Sequence, residues 1–414
     1  MNVEVINTGT EILLGSITNT HLKFFAEELF PLGLRIQRQV TVPDGDAIRD
    51  ALVEAFARAE IVLVTGGLGP TTDDITREIT AELLGLELVL DENVKTAIEQ
   101  RFARRGATLT DRVLRQAQVP RGATALPNEN GTAPGLYLKT ERSPHLFLLP
   151  GPPRELKPMF FESVAPILKT IVPPDPATQA RIYRIVGMGE SNVEALVGEQ
   201  LLAVDGLELG YCARPGEVDV RCIGSADVLA RAEEIITSHL SANIVARGEG
   251  SLESAVVEKL IAAGKTIAVA ESCTGGFLAN RLTNVPGSSA TFLAGFVTYA
   301  NAAKTRELGV PASMIESAGA VSHEVAVAMA EGALKAAGAD FALATTGVAG
   351  PGGGTAQKPV GTVYIALAAA GKKAIVERHN FPMDRETFKW LATQTALDLL
   401  RRALLDDSSP TAVK

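Results

Sequence analysis

A short apolar strand that runs directly into a glycine turn and a helix constrains this chain more than any other feature of its sequence. Residues 265–270 predict the strand, residues 270–276 (AESCTGG) the turn, and residues 277–282 the start of the helix. A turn of this kind lifts a side chain out of a sheet and directs free backbone N–H groups at whatever lies there. We therefore expect an α/β fold with a site for hydrolytic chemistry at this strand end.

Three side chains in this turn are candidate nucleophiles, namely Ser272, Cys273 and Thr274. A hydroxyl or thiol here would find N–H groups suited to a tetrahedral intermediate or a phosphate. The alternative is that Ser272 or Thr274 only caps the helix, while Gly275 and Gly276 only form the turn. Spacing alone does not distinguish Ser272 from its neighbour Cys273.

Two later strand ends carry functional candidates of their own. Residues 296–299 predict a strand, and Lys304 follows it closely. A lysine among apolar groups loses much of its preference for the charged form and can act as the base of a serine–lysine pair; a solvated surface lysine is the alternative. Residues 340–343 predict another strand, followed by the glycine-rich loop 344–354. The N–H groups of such a loop suit a phosphate or ribose, unless the loop is merely flexible. Together the three ends indicate one pocket along the carboxyl edge of a sheet.

Four motifs in this half, AESCTGG, VTYANAAK, TTGVAGPGGG and KPVGTVYIA, resemble the nicotinamide mononucleotide deamidase domain, and the whole chain resembles the CinA family of competence/damage-inducible proteins. The resemblance implies an α/β domain over residues 251–405 that hydrolyses the carboxamide of nicotinamide mononucleotide to nicotinic acid mononucleotide and ammonia, without a cofactor. It implies Ser272 as nucleophile, Lys304 as base and Tyr299 nearby, with N–H groups near Gly275 holding the oxyanion. It assigns the substrate to Thr274, Gly275, Gly276, Thr346, Gly347, Gly350 and the phosphate-facing Arg385.

The first half repeats the pattern of a buried strand followed by glycines. Residues 3–6 and 61–64 predict strands, and the second strand is followed by residues 65–74 (TGGLGPTTDD). Glycines free the backbone to wrap a phosphate, and paired carboxylates can hold a hard divalent cation. Adjacent aspartates also occur simply as N-terminal residues of a helix, which residue 75 onward predicts. The two interpretations are compatible, because a helix N-terminus beside a cation is a usual phosphate site.

This half resembles the molybdopterin-binding fold in its CinA form, over residues 1–170. The resemblance implies an α/β sandwich with metal-dependent ADP-ribose pyrophosphatase activity, giving AMP and ribose 5-phosphate. The divalent metal, whose identity stays open, is assigned to Asp73 and Asp74, with Glu11 and Glu155 as further ligands. The substrate is assigned to Gly66, Gly67, Gly69, Thr71, Asn128, Gly131 and Thr132.

A third unit is expected between the two halves. The proline-rich residues 171–176 predict a domain boundary. After it come a strand (180–186), a helix (190–202), a hairpin (208–213 and 217–223) and a helix (226–240), a βαββα order that makes a small α+β sandwich. CinA proteins carry a KH-like domain here, over residues 177–247. Its turn contains Glu190 where nucleic-acid binding favours a basic residue, which indicates a spacer or interface rather than an RNA module.

Composition limits the partners and the compartment. A net charge of −9 without a sustained basic run argues against direct nucleic-acid binding. Three cysteines are too few for a disulfide framework, and no apolar stretch reaches about 18 residues, so we expect a cytoplasmic protein without a membrane segment. The family resemblance implies a homodimer, and the tail 406–414 is expected to fray. Two functions remain: a bifunctional pyridine-nucleotide hydrolase, or a nucleotide-binding adaptor of competence and DNA repair without useful turnover.

Overall fold

The computed structural model describes residues 1–172 and 178–408, with side chains described up to residue 405. Its contacts divide the chain into two compact units, Met1–Pro176 and Ala177–Lys414. Residues 173–176 of the predicted connection and 409–414 of the predicted tail lie outside the described part. No helix within the described part is long and apolar enough to cross a membrane.

The first unit is an α/β sandwich around one large sheet. Its strands are β1 (Asn2–Thr8), β2 (Arg35–Val42), β3 (Ile61–Thr65), β4 (Leu88–Leu90), β5 (Gln118–Pro120), β6 (Thr124–Leu126), β7 (Gly135–Leu138) and β8 (His145–Leu149). Its helices are α1 (Thr10–Leu13), α2 (His21–Leu29), α3 (Ala47–Phe56), α4 (Thr76–Leu84), α5 (Glu92–Arg105), α6 (Asp111–Leu114), α7 (Pro153–Met159) and α8 (Ala165–Ile171).

The order of strands in this sheet is β2-β1-β3-β8-β7-β6, and β4 pairs separately with β5. The first four strands in this order are parallel to one another. Strand β7 pairs antiparallel with β8, and β6 pairs antiparallel with β7. Ile61 and Leu63 belong to the core on one face, whereas Val62 and Val64 belong to the core on the other. Burial on both faces explains why residues 61–64 of β3 are all apolar.

The second unit begins with a four-stranded antiparallel sheet. Its strands are β9 (Gln179–Val186), β10 (Glu208–Arg214), β11 (Glu217–Gly224) and β12 (Ile244–Arg247), with helices α9 (Glu190–Leu202) and α10 (Ala226–Leu240). The strand order is β10-β11-β9-β12. The predicted βαββα order is therefore incomplete, because a fourth strand, β12, pairs with β9 at the sheet edge.

The C-terminal sheet of the second unit is mixed. Its strands are β13 (Ile267–Glu271), β14 (Phe292–Val297), β15 (Phe341–Gly347), β16 (Thr362–Ala369) and β17 (Ile375–Asn380). Its helices are α11 (Leu252–Ala263), α12 (Phe277–Thr283), α13 (Asn301–Leu308), α14 (Ala312–Ala318), α15 (His323–Ala337) and α16 (Arg385–Ser408). The order is β14-β13-β15-β16-β17, in which β14, β13 and β15 are parallel. Their carboxyl ends therefore meet at one edge, as the sequence predicts.

The two sheets of the second unit contact each other through α16. The indole Nε1 of Trp390 donates to the carbonyl of Pro215, at the tip of the β10–β11 hairpin, at 2.8 Å. Arg401 donates to the carbonyl of Ala242 at 2.6 Å. The turn Gly187–Glu190 lines a cleft with residues of β17 and α16. These contacts favour the interpretation of the middle domain as an interface.

Candidate active sites

Ser272 lies directly after β13, where the chain leaves the sheet. Its backbone N–H donates to the carbonyl of Thr345 at 3.0 Å, which ties the turn to the end of β15. Its Oγ accepts a hydrogen bond from Lys304 Nζ at 3.0 Å. The serine is buried apart from 9% of its surface. The structure thus brings the predicted nucleophile and the predicted base into direct contact.

Lys304 lies in the second turn of α13 rather than at a strand end, and its side chain is 1% exposed. Besides Ser272, Nζ donates to the carbonyls of Thr298 at 2.8 Å and Tyr299 at 3.3 Å. Burial lowers the pKa of this amine from the ordinary lysine value. In the neutral form, two N–H bonds can serve the two carbonyls, which leaves the lone pair directed at Ser272 Oγ. The alternative of a solvated surface lysine is excluded.

Cys273, the chemical rival of Ser272, has a different environment. Its side chain belongs to the hydrophobic core under the sheet and is 5% exposed. Burial raises the pKa of the thiol to about 12, which opposes formation of the thiolate nucleophile. The geometry therefore favours Ser272 over Cys273.

Glu271, which the sequence analysis missed, holds the turn after Ser272. Its fully buried carboxylate accepts from the N–H groups of Gly276 at 3.0 Å, Leu278 at 3.0 Å and Ala279 at 2.8 Å. The N–H of Gly275 donates to the Ser272 carbonyl at 3.2 Å. Of the N–H groups near Gly275 that are expected to hold an oxyanion, those of Gly275 and Gly276 therefore already have acceptors. Earlier in the turn, the N–H groups of Cys273 and Thr274 donate to no other described residue.

Two predicted substrate hydroxyls have protein partners. Thr274 Oγ1 shares a hydrogen bond of 2.7 Å with Thr345 Oγ1, and both side chains are buried. Thr346 Oγ1 donates to the carbonyl of Ala320 at 2.7 Å. Both hydroxyls thus brace the sheet edge, and their contact with substrate stays a prediction.

Arg385 links the remaining predicted residues at this edge. It opens α16 and donates to the Tyr299 hydroxyl at 2.9 Å and to the Gly350 carbonyl at 3.0 Å. The Tyr299 ring is 61% exposed, and Gly347 ends β15 just before the loop that contains Gly350. The second motif, the glycine loop and the start of α16 therefore meet beside the Ser272–Lys304 pair.

In the first unit, most predicted residues line one cavity of about 440 Å³, hereafter the acidic cavity. Nine of them line it: Glu11, Gly66, Gly67, Gly69, Asp73, Asp74, Gly131, Thr132 and Glu155. Thr71 does not line it, but its N–H and hydroxyl both donate to Asp74 Oδ2 and so hold a carboxylate that does. Asn128 instead donates to Glu155 Oε2 at 2.9 Å and accepts from the N–H of Gly131 at 2.7 Å, which shapes the loop.

The carboxylates of the acidic cavity occupy space that glycine leaves open. A Cβ added at Gly69 would collide with the carboxylate of Asp74, and one at Gly131 with that of Glu155. Within the described residues, no group of three or more metal-ligating side chains is close enough to hold an ion by itself. This donor set fits Mg²⁺ in its usual mode, in which one or two carboxylates and substrate phosphates share the ion with water. The four predicted ligands Asp73, Asp74, Glu11 and Glu155 therefore do not come together as one all-protein metal site, although all four line the cavity.

Three arginines of this cavity were also missed. Arg101, Arg105 and Arg154 also line it, and Arg154 lies 3.8 Å from the carboxylate of Glu155. The Nε of Arg101 is buried and has no hydrogen-bond partner in the described structure. The signal was present in the run Arg101, Arg104 and Arg105 at the end of α5, which supplies cations suited to phosphate.

Comparison with known proteins matches three domain families along the chain. Residues 4–170 match the "Probable molybdopterin binding domain", residues 180–247 the "Damage-inducible protein CinA KH domain", and residues 249–404 the "CinA C-terminal domain". These matches and the described sheets confirm the predicted fold class, an α/β chain with a KH-like α+β middle domain.

Relatives extend this similarity over nearly the full length. A CinA-like protein of Akkermansia muciniphila is 48% identical over 96% of this chain and 96% of its own. A putative competence-damage inducible protein of Moorella thermoacetica is 44% identical over 98% of this chain and 99% of its own. A crystal structure of the competence/damage inducible protein CihA from Agrobacterium tumefaciens is 40% identical, with a TM-score of 0.36, over 38% of this chain and 97% of that one. The chain therefore belongs to the CinA family.

Proposed function

We propose that this CinA-family protein is a hydrolase whose C-terminal site converts nicotinamide mononucleotide into nicotinic acid mononucleotide and ammonia. The observation that carries the proposal is the 3.0 Å contact between Ser272 Oγ and the buried Lys304 Nζ. A buried amine of lowered pKa beside a serine is an arrangement for acyl transfer, since it activates the hydroxyl without histidine or metal. The family resemblance supplies the nucleotide substrate.

The first half-reaction forms an acyl-enzyme. Ser272 Oγ attacks the carboxamide carbon while neutral Lys304 takes the hydroxyl proton. The oxygen of the tetrahedral intermediate becomes negative, and the free N–H groups of Cys273 and Thr274 are the donors available to it in this turn. The Lys304 ammonium then gives its proton to the departing nitrogen, the C–N bond breaks, and ammonia leaves.

The second half-reaction restores the enzyme. Lys304 removes a proton from water, the hydroxide attacks the ester carbon, and the proton returns to Ser272 Oγ as the ester bond breaks. The exposed edge formed by Tyr299 and Arg385 is the side from which the nucleotide would approach. Arg385 could exchange its Gly350 carbonyl for the substrate phosphate, which is a stronger acceptor for a guanidinium.

Ammonia release in the presence of a chelator tests this proposal. We expect Ser272→Ala to lose at least about a thousandfold in kcat, as expected for loss of a nucleophile. Cys273→Ala is the matched control, because it alters the adjacent thiol in the same turn, and we expect it to keep activity within about tenfold. Full activity of Ser272→Ala, or loss of activity only in Cys273→Ala, would refute the assignment.

For the N-terminal site we propose metal-dependent hydrolysis of ADP-ribose to AMP and ribose 5-phosphate. The acidic cavity supports it, because it places carboxylates and three arginines around a space lined by glycine backbone. Asp73 and Asp74 would hold the metal, with Glu11 and Glu155 nearby, and a bound divalent ion would neutralise the diphosphate charge. Arg101, Arg105 and Arg154 would orient the phosphates.

The double variant Asp73→Asn with Asp74→Asn tests the second activity. We expect it to lose AMP formation from ADP-ribose in magnesium by at least about a hundredfold, because the hard oxygen ligands lose their charge. Ammonia release should be unchanged, which makes the C-terminal activity an internal control. AMP formation that survives both substitutions, or that is insensitive to chelator, would refute the metal site.

The competing function is a nucleotide-binding adaptor without useful turnover. The contact between Ser272 and Lys304 argues against it, since an adaptor has no need of a buried nucleophile–base pair. Binding of nicotinamide mononucleotide without ammonia release would favour the adaptor. We further propose a homodimer with small-molecule nucleotides, rather than nucleic acid or membrane, as its partners.

A further inference from the structure

Five polar side chains form a connected hydrogen-bond network at the carboxyl ends of β1, β2 and β3. They are Asn7 of β1, Asn19, His21 of α2, Gln39 of β2 and Thr65 of β3. Asn7, His21 and Thr65 are buried. Thr8, which follows Asn7, and Gly66, which follows Thr65, line the acidic cavity. The network therefore lies directly behind the cavity wall, and the proposed function gives it no role.

The direction of each hydrogen bond in this network follows from one backbone group. The backbone N–H of His21 can only donate, and it donates to Asn19 Oδ1 at 3.0 Å. The amide nitrogen of Asn19 is therefore a donor, and it donates to Asn7 Oδ1 at 2.9 Å. Gln39 Nε2 donates to the same oxygen at 2.7 Å. These bonds fix the amide of Asn7, whose nitrogen is directed at Thr65 and His21.

The orientation of Asn7 determines where the His21 ring carries its proton. Asn7 Nδ2 donates to Thr65 Oγ1 at 2.7 Å and lies 3.3 Å from His21 Nδ1. The Thr65 hydroxyl accepts that bond and keeps its own proton for His21 Nδ1, at 3.1 Å. Because Nδ1 faces two donors, it presents a lone pair, and the ring is neutral with its proton on Nε2. The backbone N–H of His21 thus sets, through Asn19 and Asn7, the tautomer of its own ring.

The proton on Nε2 connects the network to the segment that follows β8. The His21 ring makes a hydrogen bond with the backbone of Gly151 that favours a ring N–H. Since Nδ1 is an acceptor, the donor in this bond is Nε2. Gly151 belongs to segment 150–155, in which Arg154 and Glu155 also line the acidic cavity. A neutral His21 therefore bridges the end of β3 and the segment that carries Glu155.

Protonation of His21 is incompatible with this arrangement. A proton on Nδ1 would face the N–H of Asn7, which cannot turn its amide without directing its nitrogen at the donors of Asn19 and Gln39. The groups that face the ring from β1 and β3 are uncharged, and Lys157 of α7 is the cation that acts on it. Burial lowers the pKa of the ring, the backbone bond of Nε2 opposes this effect, and Lys157 lowers the pKa again.

We propose that His21 is a positioning residue of the N-terminal site, whose neutral ring holds segment 150–155 against the end of β3 and whose protonation releases that segment. Its effect on catalysis rests on the N-terminal function proposed above. The site should be intact above the pKa of His21 and be lost as the pH falls through it. Because Glu155 is a proposed metal ligand, its displacement should lower kcat more than it raises KM.

Magnetic resonance of the imidazole nitrogens, on the full chain in chelator, tests the state of the ring without any activity. The chain has five histidines, and the His21 signal is identified by its loss in His21→Gln. We expect the proton on Nε2 at neutral pH and a titration midpoint below the ordinary histidine value. A proton on Nδ1, or a midpoint at or above the ordinary value, would overturn the proposal.

Hydrolysis of ADP-ribose in magnesium, measured against pH, tests the positioning role. Glutamine offers an N–H where Nε2 lies but does not titrate, so His21→Gln should keep kcat within about tenfold and lose the acid limb. His21→Phe has no such donor and should lower kcat at least about tenfold with little change in KM. His145→Gln is the matched control, because His145 is a partly buried histidine of the same sheet, bonded to Tyr137, at the opposite end of β8 from segment 150–155.

An acid limb that persists in His21→Gln, or that disappears equally in His145→Gln, would contradict the positioning role. Amide hydrogen exchange of residues 151–156 keeps the test independent of turnover. Protection of these amides should fall on acidification in the intact chain but not in His21→Gln. If this difference is seen while no ADP-ribose is hydrolysed, the role of His21 stands and the pyrophosphatase does not. Hydrolysis with the same protection in both proteins has the opposite meaning.

Discussion

At the scale of single residues, Lys304 decides what the C-terminal site can do. Two backbone carbonyls fix the orientation of its amine, and burial lowers its pKa, so the neutral form becomes available at lower pH than in an ordinary lysine. The neutral amine is the reactive form. Activity should therefore be present above this lowered pKa and be lost as the pH falls through it.

This predicts a kcat/KM profile for ammonia release with an acid limb whose midpoint lies below the ordinary lysine range. Lys304→Arg should abolish the activity at every accessible pH, because a guanidinium does not give up its proton. Lys265→Arg is the control, since Lys265 is half-exposed and pairs with Asp340 on the surface. An acid limb that stays in place in Lys304→Arg would mean that another group is the base.

The sequence could suggest Ser272 and Lys304 but could not choose between Ser272 and Cys273. The sequence does not show how two adjacent turn residues are packed. Only the structure shows Ser272 hydrogen-bonded to Lys304 and Cys273 packed within the apolar core. The role of Glu271 could not be predicted for the same reason. An acidic residue at the end of an apolar strand gives no local sign that three N–H groups of the following helix surround it.

At the scale of elements, local patterns predicted isolated helices well. The expected helices 190–202 and 226–240 coincide with α9 and α10. Helix α10 has a clear apolar face and a Ser225 N-cap that accepts from the Val228 N–H, whereas α9 begins after Gly189 without a side-chain cap. Strands at sheet edges were predicted less well. The four residues of β12 are only half-buried and owe their conformation to pairing with β9, which no local window contains. Residues 298 and 299 fall outside β14, whose alternating exposure marks an edge strand.

Element packing also explains the Ser272 turn. The Glu271 carboxylate binds the first turn of α12 and thereby fixes the direction of the helix relative to β13. Because these N–H groups are satisfied internally, α12 offers no anion site of its own. The donors left for an oxyanion are in the turn, one or two residues from the nucleophile. This corrects the expectation drawn from a strand–turn–helix pattern, which assumes that the helix N-terminus is free.

At the scale of the second unit as a whole, Trp390 joins the middle domain to the C-terminal site. Its indole N–H holds the carbonyl of Pro215, while its ring covers the Arg281 guanidinium at 4.3 Å and lies 6.0 Å from the ring of Phe277. Arg281 and Phe277 both belong to α12, the helix that Glu271 ties to the Ser272 turn. One side chain therefore contacts both the hairpin tip and the helix behind the nucleophile.

Two substitutions should separate these contacts. Trp390→Phe keeps a ring over Arg281 but loses the N–H donor. We therefore expect faster amide hydrogen exchange in the β10–β11 hairpin, a loss of about 1 kcal/mol in stability, and ammonia release within about twofold of normal.

Trp390→Ala also removes the ring from Arg281 and Phe277. It should cost about 3 kcal/mol, loosen α12 and lower kcat by about tenfold with little change in KM, because the turn is misplaced while the binding edge remains. Equal hairpin exchange in the intact protein and both variants would show that Trp390 does not hold the two domains together.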